Sequence, residues 1–175
     1  GVNLEGLRKI GNPIDIALKY YSEGIDELIF IDAVASLYKR NNLYDIIDQA
    51  AKNIFVPLTI GGGIRGLKDI ERALKSGADR VAINSYATEY PNFIKDAVKN
   101  FGSSTITSYI ETKEVSENKW EVYKYSGREK TGINTVDWIK KVQDLGCGEI
   151  LLTSVDYEGT QNGFDLKFLR RVFKL

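Results

Sequence analysis

Five short apolar runs alternate with helix-patterned stretches along this chain, and that alternation leaves few folds open to it. The runs occupy 26–33, 56–62, 78–85, 104–111 and 149–156, as in "VPLTIGG" and "EILLTSVD". Around them, apolar residues recur at helical spacing over 13–24, 42–54, 67–77, 91–102, 135–146 and 164–172. Pro13 and Pro91 open two of these stretches, and Gly24 and Gly77 stop two. Compact apolar strands are expected where helices cover a parallel sheet. Two α/β architectures satisfy the pattern, a doubly wound open sheet and a (β/α)8 barrel. One segment breaks the rhythm: "WEVYKYS" at 120–126 reads as an extra hairpin in a polar excursion.

The ends of the runs separate the two architectures. Asp32, the glycines Gly61, Gly62 and Gly63, Asn84, Ser85, Glu111 and Asp156 all stand at C-terminal ends of predicted strands. A barrel builds its site from many strand ends at once, whereas an open sheet concentrates its site at one crevice. A faint internal repeat points the same way. "GIDELIFID" from Gly24 and "GCGEILLTSVD" from Gly146 both run Gly-x-x-Glu into an apolar strand ending in Asp, their glutamates 122 positions apart. This fits a duplicated half-barrel.

Composition narrows the chemistry. Basic and acidic residues balance at 24 each, so there is no net basic field for nucleic acid. No apolar stretch approaches the ~18 residues of a membrane span. Histidine is absent and Cys147 is the single cysteine. This excludes histidine metal sites, nucleophile mechanisms with a histidine base and internal disulfides, and it fits a reducing compartment. Acid–base work falls to Asp, Glu, Lys, Tyr or Cys.

The run "FVPLTIGGGIRG" (55–66) places three glycines directly after a strand and just before a helix starting near Leu67. Such a turn either needs positive φ for its own geometry or lets backbone N–H groups cradle a phosphate at the helix start. Asn84 and Ser85 can donate to the same anion or hold a backbone turn. Asp32, Glu111 and Asp156 are each a cap, a sheet-edge residue or a site group. Together, at equivalent strand ends, they can orient polyol hydroxyls or move protons. "YSGREKTG" (125–132) reads as a flap over a charged ligand or as a solvated loop. "DYEGTQNG" (156–163) is a polar loop whose Gly159–Thr160 turn can reach substrate.

Taken together, "DELIFIDAVAS", "VPLTIGGGIR", "GADRVAINS", "YSGREKTG" and "GEILLTSVDYEGT" resemble the cyclase subunit of imidazole glycerol phosphate synthase over essentially the whole chain. The resemblance implies a (β/α)8 barrel of two similar halves. Residues 1–175 would form a single partial domain covering about strands 2 to 6, without the first strand and the last two. It implies a cytoplasmic lyase of histidine biosynthesis that needs no metal or cofactor. That enzyme uses ammonia from a glutaminase partner to convert a bis-phosphorylated ribulosyl precursor into imidazole glycerol phosphate and an aminoimidazole carboxamide ribotide.

By the same resemblance Glu111, Asp32 and Asp156 are the catalytic candidates. Gly62, Gly63, Asn84 and Ser85 fall where the family holds one substrate phosphate. Ser126 and Gly127 fall in the substrate-covering flap, and Thr153 and Gly159 at and after the sixth strand. Glu27, Arg80 and Glu149 match members of a charged ring that admits ammonia at the opposite face, where the glutaminase would dock. Arg80 and Ser85 stand where lysine and threonine are typical. Glu111 stands where the family carries a catalytic aspartate. That exchange favours an alternative, resemblance to paralogues found with surface-polysaccharide genes that channel ammonia for amidination of a sugar. A third reading is a non-catalytic scaffold that activates its glutaminase.

Overall fold

The computed structural model describes residues 1–6, 10–33 and 43–174. In chain order the elements are α1 (Pro13–Ser22), β1 (Leu28–Ile31), α2 (Leu43–Ala51), β2 (Leu58–Gly61), α3 (Leu67–Lys75) and β3 (Arg80–Ile83). They continue with α4 (Ser85–Glu89), α5 (Asn92–Phe101), β4 (Ile106–Ser116), β5 (Lys119–Lys124), β6 (Glu129–Asn134), α6 (Thr135–Asp144), β7 (Glu149–Ser154) and α7 (Leu166–Val172). Asn42, where the second helix was expected to begin, lies outside the described residues.

Caps in the sequence set several of the helix starts. Asn12 accepts the Ile14 N–H at 2.8 Å, with Pro13 in the first helical position. Asn134 accepts from Val136 and Asp137, and Asp165 from Phe168. Between the helices β1, β2, β3, β4 and β7 form one parallel ladder in that order. The helices between consecutive strands supply the crossovers that parallel pairing needs. Among the described residues β1 pairs only with β2 and β7 only with β4.

The pleat sorts side chains between two faces. Leu58, Ile60, Val81, Ile83, Ile106 and Ile110 join Ile47, Ile70, Ile94 and Ile139 of the helices in one buried cluster. Thr59, Thr107, Tyr109 and Glu111 alternate with them and are buried on the other face. Ile110 has no exposed surface. Ile110→Ala is therefore expected to lower unfolding free energy by about 2–5 kcal/mol, read as a fall in the urea midpoint at unchanged slope.

The long β4 is where structure and sequence reading part. Its expected end was Glu111, yet the strand runs on to Ser116. Its first residues pair with β3 (Val81 with Ile106, Ile83 with Ser108). After Ile83 the chain leaves the sheet for α4, and that side of β4 falls free. The antiparallel hairpin of β5 and β6 takes it up, pairing Glu111 with Tyr123. Glu111 is thus a mid-strand residue. Two further expectations are corrected in the same region. Ser85 opens α4 instead of closing β3, and Asp156 lies two residues beyond the end of β7.

Candidate active site

Three strand ends, the middle of β4 and the hairpin turn enclose a cleft of about 250 Å³. Asp32 enters it after β1, Gly62 and Gly63 after β2, Asn84 and Ser85 after β3, and Glu111 from within β4. The parallel register explains the convergence, since the Asp32 N–H donates to Gly61 O at 2.8 Å and aligns β1 with β2. Gly62 and Gly63 have φ of 104° and 71°. At Gly62 a Cβ would stand against the Asp32 backbone, so only glycine lets the two turns approach.

Glu111 is 3% exposed. The Gly127 N–H donates to its Oε2 at 2.9 Å. The Tyr109 hydroxyl, the Asn84 side chain and the Ser126 N–H lie close enough to favour its charged form. Burial pushes the carboxyl above its ordinary value, and these donors oppose that rise without cancelling it. A buried acid held up by desolvation and surrounded by donors is a group suited to exchange a proton near neutral pH. Asn84 keeps its buried Oδ1 without a partner among the described residues.

The hairpin turn closes the cleft. Tyr125, Ser126 and Gly127 all take positive φ, at 55°, 60° and 70°. Each binds a different segment of the cleft wall: Tyr125 N–H to Ser85 Oγ at 3.1 Å, Ser126 Oγ to Ala33 O at 2.8 Å, and Gly127 N–H to Glu111. Lys124 and the Tyr125 hydroxyl both reach Glu89, at 2.7 and 2.9 Å. The "YSGREKTG" segment is therefore seated on the cleft by specific bonds, which a merely solvated loop would lack.

The remaining sequence-derived candidates lie elsewhere. Asp156 accepts the Glu114 N–H at 3.0 Å and stands 4.0 Å from Lys113, so it faces the extension of β4 and does not line the cleft of Glu111. Thr153 and Gly159 line a second cavity of about 400 Å³ beside β7 and α7. Thr153 pairs with Glu111 across the β4–β7 ladder and lies beside Tyr109, where the two cavities adjoin.

The comparison with known proteins settles the lineage. The family described as "Histidine biosynthesis protein" matches residues 1–175. The chain belongs to this family. It is 51% identical over 172 residues to "Imidazole glycerol phosphate synthase subunit HisF" of Legionella pneumophila, spanning 98% of this chain and 81% of that relative. It is 44% identical over 174 residues to the protein of the same name from Bacillus cereus strain Q1, spanning 99% of this chain and 69% of the relative.

In this member of the histidine biosynthesis family the opposite end of the parallel ladder carries a second charged constellation. Arg80, at the start of β3, donates to Glu27 at 3.1 Å and stands 3.6 Å from Glu149 at the start of β7. Thr107 Oγ1 donates to the same Glu149 at 3.4 Å. The hydrogen bond to Glu27, followed by the charges of Glu149 and Glu27, holds the guanidinium pKa up. All three residues anticipated for this face are thus brought together. No helix among the described residues is long and apolar enough to cross a membrane.

Sequence reasoning missed Tyr109 and Glu89 and gave Tyr125 no role of its own within the flap, yet all three line the same cleft. Tyr109 had a usable signal. It precedes Glu111 by two residues, and strand periodicity puts both on one face.

Proposed function

We propose that the chain carries the cyclase of an imidazole glycerol phosphate synthase, a lyase that joins glutaminase-derived ammonia to a bis-phosphorylated ribulosyl precursor. One observation carries this reading. The buried carboxylate of Glu111, the glycine turn at Gly62 and Gly63, and the Asn84–Ser85 pair meet in one cleft, and the Arg80 cluster sits at the other end of the same strands. In this reading Glu111 and Asp32 handle protons, while Gly62, Gly63, Asn84 and Ser85 take one substrate phosphate. Ser126 and Gly127 cover the substrate. Thr153 and Gly159 contact its far part, and Asp156 orders the β4 extension that bears the flap. The family relation supports a (β/α)8 barrel, of which residues 1–175 form one partial domain.

The glutaminase subunit would dock against the face bearing Glu27, Arg80 and Glu149, with ammonia passing between them. Supplying the full-length protein and its glutaminase with the ribulosyl precursor and ammonium salt tests the reading. Imidazole glycerol phosphate should appear, and its absence would sink it. Arg80→Ala adds a sharper comparison. Glutamine-driven turnover should fall about tenfold or more, while turnover on added ammonium salt persists.

A second reading, an ammonia conduit for amidination of a surface sugar, is favoured by the glutamate at 111. Its longer side chain already takes the Gly127 N–H at 2.9 Å. Delivery of ammonia from glutamine without cyclisation would support that reading.

A further inference from the structure

We infer that Tyr109 is a positioning residue for Glu111: its hydroxyl donates to the Glu111 carboxylate and is itself oriented by Thr153. The kinetic consequence rests on the cyclase reading above, but the geometry does not. Tyr109 and Glu111 are two residues apart on β4 and both line the cleft. They are 8% and 3% exposed, so their polar groups face only the cleft and each other. Across the β4–β7 pairing Thr153 lies opposite Glu111, which sets its hydroxyl beside both side chains.

A phenol has one hydrogen to give. An ionised carboxylate can only accept, so the phenolic hydrogen is directed at Glu111 and the Thr153 hydroxyl is left to donate into the phenolic oxygen. Burial keeps the Tyr109 hydroxyl protonated far into the alkaline range, so it remains a donor wherever Glu111 titrates. The Gly127 N–H holds the carboxylate from the hairpin side, and Tyr109 holds it from the β7 side. A glutamate has one more rotatable bond than an aspartate, and donors from separate elements remove that freedom. Asp32, Arg65, Glu89 and Tyr125 in the cleft wall, Tyr123 on β5 and Glu158 after β7 supply the surrounding titratable and charged groups.

Tyr109→Phe in the full-length protein, assembled with its glutaminase, deletes the hydroxyl and keeps the ring. The primary readout is the ¹³C carboxylate titration of Glu111, identified by its loss in Glu111→Gln. Removing a donor to the charged form should raise the midpoint by about half a unit to one unit. With ribulosyl substrate, kcat should fall about tenfold or more and KM should change less than about twofold. Thr153→Val leaves the tyrosine in place and should move the midpoint the same way by less, which covers the case in which Tyr109→Phe folds poorly. Midpoints unmoved in both variants, or a loss confined to KM, would overturn the inference. A wild-type protein that titrates as described but does not turn over would count against the cyclase reading alone.

Discussion

Glu111→Gln in the full-length protein is expected to lower cyclase turnover by about two to four orders of magnitude and to raise the thermal midpoint at neutral pH. The first effect follows from removing the one buried carboxylate that the cleft surrounds with donors. The second follows from the sign of its pKa shift. Burial holds the folded-state pKa above the unfolded value. The stability linked to this group is therefore fully present below the unfolded pKa and is lost as pH rises through the folded pKa. At neutral pH the charged form is a cost that glutamine does not carry, and glutamine keeps an oxygen for the Gly127 N–H. Thermal unfolding of both proteins at pH 5 and pH 8 checks this: the advantage of the variant should be larger at pH 8. Equal advantages at both values would mean that Glu111 is not held up in the fold. Product formation measured alongside should show the loss, and Glu111→Asp should show how much of the activity depends on the extra methylene.

Gly62→Ala is the second large effect. A Cβ at this position would meet the Asp32 carbonyl and lie 2.9 Å from the Asp32 N, at a backbone φ of 104°. The atoms it meets are mainly backbone, which cannot swing aside as a flexible side chain would. Positive-φ strain alone costs about 1–3 kcal/mol, and relief requires the ends of β1 and β2 to part. That displaces Asp32 and the proposed phosphate cradle together. The expected result is a lower urea midpoint with a rise of about tenfold or more in KM for the phosphorylated substrate. Gly102→Ala is the matched control. Its φ is 86°, but a Cβ there meets nothing within 4 Å and the residue lies outside the cleft. It should lose some stability and leave KM unchanged. Equal KM changes in both variants would refute the close-approach argument.

The ladder of five parallel strands could be read from the sequence because each apolar run is bounded by glycine, proline or a capping residue. The glycine turn was legible for the same reason: three residues without side chains at a strand end require a close neighbour, and Asp32 is that neighbour. The length of β4 was not legible. Residues 112–116, "TKEVS", carry charges that resemble a loop, and they become strand only because β3 ends early and the hairpin needs a partner. That pairing is a tertiary event which local propensity does not encode. The placement of Asp156 failed for a related reason. Its position in the sequence parallels that of Asp32, but the extended β4 presents the Glu114 N–H to its carboxylate. The Arg80 cluster, by contrast, was recoverable residue by residue, since Glu27, Arg80 and Glu149 all stand at the starts of alternate strands of the ladder, β1, β3 and β7.

The seating of the hairpin turn changes what ligand affinity means here. Ser85 Oγ accepts the Tyr125 N–H and the Glu111 carboxylate accepts the Gly127 N–H. A molecule that uses either group must trade places with a backbone amide, so its measured enthalpy is a difference between two sets of hydrogen bonds. Tight binding then depends on what the displaced amides find next. If the ligand's own oxygens receive them, the turn re-forms over it with no net loss of bonds. A ligand without acceptors at that point leaves the amides to water and the cleft open. If substrate binds there as proposed, selectivity at this mouth resides in the backbone of residues 125–127 as much as in any side chain.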